Sequence, residues 1–224
     1  MNIVACYYKP AGGKIYNTSS VFDRRGNIVG EYRKTHLPSF ELFQVAAGNE
    51  VNTIDLDIGR IGVMTCYDIS FPSLGEALAL QGAEIVFHPT YGYGWVESVG
   101  EATLRTRAND GSYYLVTSKS YAYKAAGKSS IIDPWGHVLA DAAYEPNVVI
   151  TRQIDLDRKK AQPDSYVLSV LTGHSDMRTR YICERRPELY GSLTEKNAQT
   201  FDFLPPGPAQ DEYRDKLVKG IYHW

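Results

Sequence analysis

Cys66 stands where a cysteine can become a nucleophile. The apolar run over residues 61–65 predicts a buried strand that ends just before it, and Pro72 marks the start of a predicted helix shortly after it. A thiol between the end of a strand and the start of a helix meets the partial positive charge of free backbone N–H groups, which favours the thiolate. A buried core cysteine has similar neighbours, so position alone leaves both interpretations open.

A lysine and a glutamate follow the strand that is predicted over residues 28–33. Lys34 comes directly after that strand, where a lysine is most often a solvated charge. Glu41 lies in a loop rich in apolar residues, and a carboxylate that is buried there needs a partner. Lys34 is the nearest candidate for that partner.

Aromatic residues and histidines give weaker indications. Tyr91, Tyr93 and Trp95 follow His88 in a glycine-rich loop, and they form either a pocket wall at the end of a strand or ordinary packing. A hydrolase that pairs Cys66 with His88 is conceivable, but the Gly-x-Cys-x-Gly elbow is absent. The five histidines have no metal-ligand spacing, and no metal or other cofactor is implied.

The other two cysteines lack the setting of Cys66. Cys6 lies within a predicted strand and is expected in the core, and Cys183 lies near the C-terminus and is assigned no role. Three widely spaced cysteines do not make a disulfide framework. A reducing, cytoplasmic location is therefore expected.

Short apolar runs alternate with turn signals along most of the chain. Strands are predicted over residues 3–8, 15–22, 28–33, 51–57, 61–65, 84–88, 113–119, 129–133, 137–140 and 147–154. Helices are predicted over residues 72–81 and 97–109. The second helix is expected to turn Val99, Ala102 and Leu104 towards the interior. This alternation is typical of a layered α/β protein.

An internal repeat links the two halves of this pattern. Residues 19–29 align with residues 129–139, and each copy predicts a strand, an Asp-x-x-Gly turn and a second strand. The preceding strands, over residues 3–8 and 113–118, also match, which favours a true duplication over two unrelated hairpins. If the halves are equivalent, roughly 60 residues that lead into the second copy have no counterpart before the first.

Composition limits the classes of function. The chain has 224 residues with 43% hydrophobic content, which is enough for one sizeable core. The formal net charge is -2 and the basic residues are scattered, so there is no electrostatic footprint for nucleic acid. No apolar run approaches the roughly 18 residues of a membrane span, and the first residues do not resemble a signal peptide.

Several motifs follow one another in a fixed order. Three of them are Tyr-Arg-Lys-Thr-His-Leu (32–37), Gly-Val-Met-Thr-Cys-Tyr-Asp-Ile-Ser-Phe-Pro (62–72) and Gly-Ala-Glu-Ile-Val-Phe-His-Pro-Thr (82–90). Together with residues 105–110 and 133–136, they resemble the nitrilase superfamily of carbon–nitrogen hydrolases. The resemblance implies an α/β fold, a four-layer αββα sandwich whose own pseudo-duplication agrees with the repeat.

The family uses a Glu, Lys and Cys triad, and the matched positions imply roles in this chain. Cys66 is the nucleophile, and Lys34 is the cation that stabilises the tetrahedral oxyanion. The backbone N–H of Tyr67 also donates a hydrogen bond to that oxyanion. Glu41 matches a second glutamate of the family that orients the substrate and the lysine.

The residues after the nucleophile bear on the substrate. The chain has Cys66-Tyr67-Asp68, whereas nitrile-cleaving members of the family usually have Cys-Trp-Glu. The resemblance therefore implies a small amide or N-carbamoyl compound as substrate. Independently of this dipeptide, the resemblance also implies a homodimer or larger homo-oligomer as the assembly. The expected substrate-binding residues, besides Tyr67, are His88, Tyr91, Tyr93 and Trp95.

The family's first triad glutamate has no match in this sequence. It belongs at the end of an early strand, so residues 1–162 are expected to be a hydrolase domain that lacks N-terminal strand–helix units. We expect such a chain to be weak or inactive, and an upstream segment to restore activity by at least about 10²-fold. A catalytically inactive homologue or assembly subunit is the alternative. Residues 163–224 are predicted to pack on the domain and on a neighbouring subunit.

Overall fold

A computed structural model of the chain describes residues 1–38, 41–92, 97–120, 128–156 and 182–195. Within these ranges the chain forms a three-stranded sheet, a six-stranded sheet and two longer helices. The strands are β1 (Ile3–Ala11), β2 (Lys14–Phe22), β3 (Ile28–Arg33), β4 (Ile54–Leu56), β5 (Gly59–Val63), β6 (Ile85–Thr90), β7 (Tyr114–Lys119), β8 (Ser130–Ile132) and β9 (Val138–Asp141). The helices are α1 (Pro72–Leu80) and α2 (Glu97–Gly111).

The first sheet is an antiparallel meander in the order β1-β2-β3. Gly12 and Gly13 both have positive φ angles and make the two-residue turn between β1 and β2, which is the conformation that tight hairpins need. Val21 and Tyr32 are buried on one face of this sheet, so that face forms part of the core.

The second sheet has the order β4-β5-β6-β7-β8-β9. Its central strands β5, β6 and β7 are parallel, and α1 and α2 provide the crossover connections that parallel neighbours require. Both helices pack on one face of this sheet. The core between them includes Met64, Leu74, Leu78, Val86, Leu104 and Leu115.

The opposite face of the six-stranded sheet packs against the first sheet. Val21 and Tyr32 from the small sheet meet Ile61, Val63 and Ile85 from the large one. The described layers are therefore helix, sheet and sheet, and the predicted α/β sandwich is confirmed.

The predicted repeat is present as two hairpins of the same geometry. Asp23 and Asp133 each accept, through Oδ1, the backbone N–H of the residue four positions later, at 2.9 Å in both hairpins. Gly26 and Gly136 close the turns with φ angles of 86° and 80°. Each hairpin also has a register shift just before its aspartate.

One predicted strand is wrong. Residues 147–154 form no strand, although they are rich in β-branched side chains. Asn147 has a φ of 57° just after Pro146, which has no N–H to donate, so the backbone enters this segment in a conformation that a ladder cannot use. Val149 is 87% exposed, which shows that apolar composition here does not reflect burial.

The inner side of α2 also differs from the prediction. Leu104 and Ala108 are buried, whereas Val99 and Ala102 are exposed. The four-residue spacing of the two buried side chains places them on one helix face, and Val99 lies outside it. Within the described ranges, no helix combines the length and the apolar surface that crossing a membrane requires.

The described part of the C-terminal segment contacts helix α1. It contains two single-turn 3-10 helices, Pro187–Leu189 and Gly191–Leu193. Nε of Arg185 lies 2.9 Å from Oε1 of Glu76 on α1. The rest of the predicted extension over residues 163–224 lies outside the described residues, so its contact with a second subunit stays a prediction.

Candidate active site

Cys66 lies at the end of a central parallel strand in a strained conformation. It follows β5 by three residues and begins the 3-10 helix Cys66–Ser70. Its φ is 52°, in the left-handed region that non-glycine residues rarely adopt and that is common at active sites. Its Sγ lies 3.7 Å from the backbone oxygen of Gly92, in the loop after β6. The half-buried thiol is thus placed between the ends of two neighbouring parallel strands.

The Asp68 carboxylate is fully buried and ties the nucleophile turn to the segment after β3. Oδ2 accepts the backbone N–H of Thr65 at 2.9 Å and the phenol of Tyr32 at 2.8 Å. Oδ1 accepts the backbone N–H of His36 at 2.9 Å and the hydroxyl of Thr35 at 3.2 Å. Four donors from two chain segments therefore converge on one side chain.

Two further contacts from His36 hold the same two segments together, and in the first of them Nδ1 lies 2.9 Å from Asp68 Oδ1. The ring of His36 stacks on Phe71, with 3.7 Å between the ring centroids. Burial first, and the Asp68 charge second, raise the pKa of Tyr32 well above its usual value. The phenol therefore keeps its proton and donates a hydrogen bond to Asp68.

We expect Asp68→Asn to lower the free energy of unfolding by about 2–4 kcal/mol, because an amide presents an NH₂ group to donors that need an acceptor. Urea denaturation measures the change. Asp57→Asn is the matched control, because Asp57 is a surface carboxylate that accepts from Asn2 at 2.6 Å, and its loss should leave stability close to wild type. Equal effects of the two substitutions would contradict the role of Asp68.

Lys34 and Glu41 form a buried ion pair. Their exposed fractions are 1% and 4%, and Lys34 Nζ lies 2.5 Å from Glu41 Oε2. The pairing that the sequence indicated is therefore present, and the alternative of a solvated lysine is wrong. Burying both charges is tolerated because each supplies the other's partner.

The loop that carries Glu41 folds back across the end of β3. Glu41 lies in the 3-10 helix Glu41–Phe43, and Leu37, Leu42 and Val45 form a small core beneath it. The N–H of Gly48 donates to the backbone oxygen of Lys34 at 2.9 Å. A Cβ at position 48 would lie 2.2 Å from a backbone oxygen, so this close approach requires glycine.

His88 supports the backbone of the nucleophile. The side chain is fully buried, and Nε2 lies 3.0 Å from the backbone oxygen of Cys66. Since a carbonyl oxygen only accepts hydrogen bonds, Nε2 carries the proton and donates a hydrogen bond to this oxygen. This geometry gives no support to a Cys66–His88 pair, and the expectation that His88 contacts the substrate stays a prediction.

Burial lowers the pKa of His88 from 6.5 to about 4. Between these values the unfolded chain binds more protons than the folded one, so the stability is fully present above pH 6.5 and is lost as the pH falls towards 4. We expect His88 to contribute roughly 3 kcal/mol of this acid sensitivity.

Urea denaturation of wild type and His88→Gln at pH 4.5, 5.5 and 7.5 tests this, because glutamine retains a donor but does not titrate. The difference between the two proteins should narrow as the pH falls. His137→Gln, at a side chain that is 69% exposed, is the control and should follow wild type. Parallel curves for wild type and His88→Gln would contradict the prediction.

The remaining predicted site residues are only partly described. Tyr67 is 38% exposed and packs edge-on against Phe71, with 5.2 Å between the centroids. Tyr91 is 57% exposed, in the loop after β6. Tyr93 and Trp95 lie outside the described residues, so the pocket wall stays a prediction.

Sequence reasoning missed two residues near the ion pair and misplaced one of them. Cys6 is exposed rather than in the core, because it lies on β1 at the edge of the three-stranded sheet. Its Sγ lies 3.1 Å from Oδ1 of Asn17, whose Nδ2 donates to Glu41 at 3.0 Å. The alternation of side chains along β2 places Asn17 on the same face as Ser19, but the sequence does not show that Glu41 lies against Asn17. Cys183 is also exposed.

Comparison with known proteins places this chain in a family. The family model described as carbon-nitrogen hydrolase matches residues 1–164. The chain belongs to the carbon–nitrogen hydrolase family, and the predicted nitrilase-superfamily membership is confirmed.

Two curated relatives and one solved structure illustrate the similarity. Deaminated glutathione amidase of Rattus norvegicus is 32% identical over 80% of this chain, and omega-amidase NIT2 of Homo sapiens is 32% identical over 66%. The chain spans 56% and 58% of the lengths of these relatives. A carbon–nitrogen hydrolase structure from Helicobacter pylori superposes with a TM-score of 0.70 at 24% identity, covering 87% of this chain and 71% of that one.

Proposed function

We propose that this protein hydrolyses the carbon–nitrogen bond of a small amide or N-carbamoyl compound through a thioester on Cys66. The observation that carries the proposal is the buried Lys34–Glu41 ion pair. Asp68 joins the segment that follows Lys34 to the nucleophile turn, because it accepts hydrogen bonds from the backbone N–H groups of His36 and Thr65. A lysine that is 1% exposed serves neither solubility nor a surface contact, so a role at the adjoining site explains its burial best.

In the first half of the proposed reaction, Cys66 Sγ attacks the carbonyl carbon of the substrate. The tetrahedral oxyanion is stabilised by the Lys34 ammonium group and by the backbone N–H of Tyr67. The C–N bond then breaks, the thiol's proton ends on the leaving nitrogen, and ammonia or an amine departs. The acyl group remains on sulfur as a thioester.

In the second half, water attacks the thioester. The hydroxyl stays on the acyl carbon, the other proton returns to sulfur, and an acid is released. Both halves need a base. In the family pattern this is a glutamate that has no match in this sequence, and among the described residues Glu41 is the carboxylate that contacts Lys34. We assign the orientation of Lys34 to Glu41.

The substrate class rests on two supports. The Tyr67-Asp68 dipeptide after the nucleophile differs from the Cys-Trp-Glu sequence that the resemblance associates with nitriles. The two curated relatives described above are named as amidases.

A panel of small amides, N-carbamoyl amino acids and nitriles tests the proposal by the release of ammonia. We expect turnover of the first two kinds and little of the third, and we expect Cys66→Ala to remove it. Preferential cleavage of nitriles would contradict the substrate class. A folded protein with no activity on any compound would favour the alternative of an inactive homologue or assembly subunit.

A further inference from the structure

Asn17 contacts both members of the buried ion pair. Its backbone oxygen accepts the N–H of Lys34 at 2.8 Å, as a continuation of the ladder between β2 and β3. Its side-chain Nδ2 donates to Glu41 Oε1 at 3.0 Å. One residue that the family motifs did not single out therefore holds the lysine through its backbone and the glutamate through its side chain.

Glu41 requires such a second partner. The ion pair with Lys34 uses Oε2, which leaves Oε1 in an environment where the residue is only 4% exposed. An unpaired oxygen of a buried carboxylate is costly. The Asn17 amide satisfies it without a second cation, and the Tyr8 phenol also hydrogen-bonds to this carboxylate.

Cys6 contacts the oxygen end of the Asn17 amide. Cys6 Sγ lies 3.1 Å from Asn17 Oδ1. Desolvation raises the pKa of the Cys6 thiol, although the residue as a whole is exposed, so the thiol keeps its proton and donates. The amide oxygen is thereby held at Cys6, and the opposite orientation would set an oxygen against the Glu41 carboxylate.

We propose that Asn17 is a positioning residue for the reaction proposed above, fixing the Glu41 carboxylate so that one of its oxygens remains on Lys34, with Cys6 orienting the amide. The expected effect of Asn17 on turnover rests on the proposed function. The expected effect of Asn17 on the Glu41 carboxylate does not, because this hydrogen bond exists whatever the substrate is. The side chain can be changed without removing the backbone contact to Lys34.

The kinetic arm of the test compares Asn17→Ala in the wild-type and Glu41→Gln backgrounds. Displacing a positioned group costs up to about 10²-fold, so we expect kcat to fall between about 10-fold and 10²-fold while KM changes little. In the Glu41→Gln background the same substitution should add little, because the residue acts through the carboxylate. Equal losses in the two backgrounds would overturn the proposal. Asn17→Ser replaces Asn17→Ala if the latter does not fold.

The stability arm uses Asn17→Asp, which sets a second carboxylate beside Glu41. Two adjacent carboxylates raise the pKa of one of them, so the variant's unfolding midpoint in urea should fall further below wild type at pH 7.5 than at pH 4.5. Tyr8, whose pKa is raised by burial and by Glu41, also faces this carboxylate and is present in every variant. The pH-dependent difference should vanish in the Glu41→Gln background. Its persistence there would overturn the proposal.

Asn52→Ala is the matched control. Asn52 also donates to a glutamate, at 3.3 Å to Glu50, but on the surface, and its substitution should change neither arm. If no compound is turned over in a Cys66-dependent manner, the proposed hydrolysis fails, and the stability arm alone then decides whether Asn17 fixes Glu41. The two failures are therefore distinguishable.

Discussion

In an active version of the protein, replacing Cys66 with alanine should reduce amide hydrolysis by at least about 10⁴-fold, because the substitution removes the atom that forms the thioester. The backbone around it should persist, since Asp68 and His88 hold the turn through contacts that do not involve the thiol. Ammonia release with the best amide of the panel measures the loss.

Cys183→Ala is the control for this experiment. Cys183 is exposed and has no assigned role, so its loss should leave the rate unchanged. Rapid acid quenching followed by mass spectrometry should detect an acyl group on Cys66 in the wild-type protein. Activity that survives Cys66→Ala, or that disappears only with Cys183→Ala, would refute the assignment of the nucleophile.

Lys34→Met should affect both activity and stability. Loss of one oxyanion-stabilising group typically costs about 10²–10³-fold in kcat. Removing one partner of a buried ion pair leaves an uncompensated charge on Glu41, so the free energy of unfolding should fall by about 3–5 kcal/mol. Steady-state kinetics and urea denaturation measure the two effects separately.

Two further variants separate the causes. Lys34→Met combined with Glu41→Leu removes both charges, so it should recover much of the stability but none of the activity. Lys9→Met is the surface control, because Lys9 pairs with Glu31 at 2.6 Å near solvent, and its stability should stay close to wild type. Full activity in the double variant would exclude Lys34 from the chemistry.

The order of strands and helices was largely predictable because local patterns determine it. The Asp-x-x-Gly turns at Asp23 and Asp133 set both hairpins through contacts within five residues, which the sequence displays directly. The strand that was predicted over residues 147–154 failed for the converse reason. Its composition suits a strand, but the positive φ of Asn147 and the exposure of Val149 depend on surroundings that composition does not contain.

The candidate site was predictable only in part. Cys66, Lys34 and Glu41 were identified from motifs, and the structure brings the last two into contact. The role of Asp68 depends on two segments that meet only when the sheets pack, so spacing along the chain gave no signal for it. The hydrogen bond from His88 to the backbone of Cys66 was not predictable, because a pattern shows that a histidine lies on a strand and not which way its ring points.

The positive φ of Cys66 has a consequence for protein engineering. Glycine adopts this conformation at little cost, whereas any residue with a Cβ is strained there by about 1–3 kcal/mol. Alanine and serine at position 66 retain that strain and should preserve the native turn when substrate complexes are trapped for crystallography. Glycine relaxes it and weakens the constraint on the turn. The residue that suits the backbone best at position 66 is thus one that cannot react, so a screen for thermostability alone would select against the nucleophile.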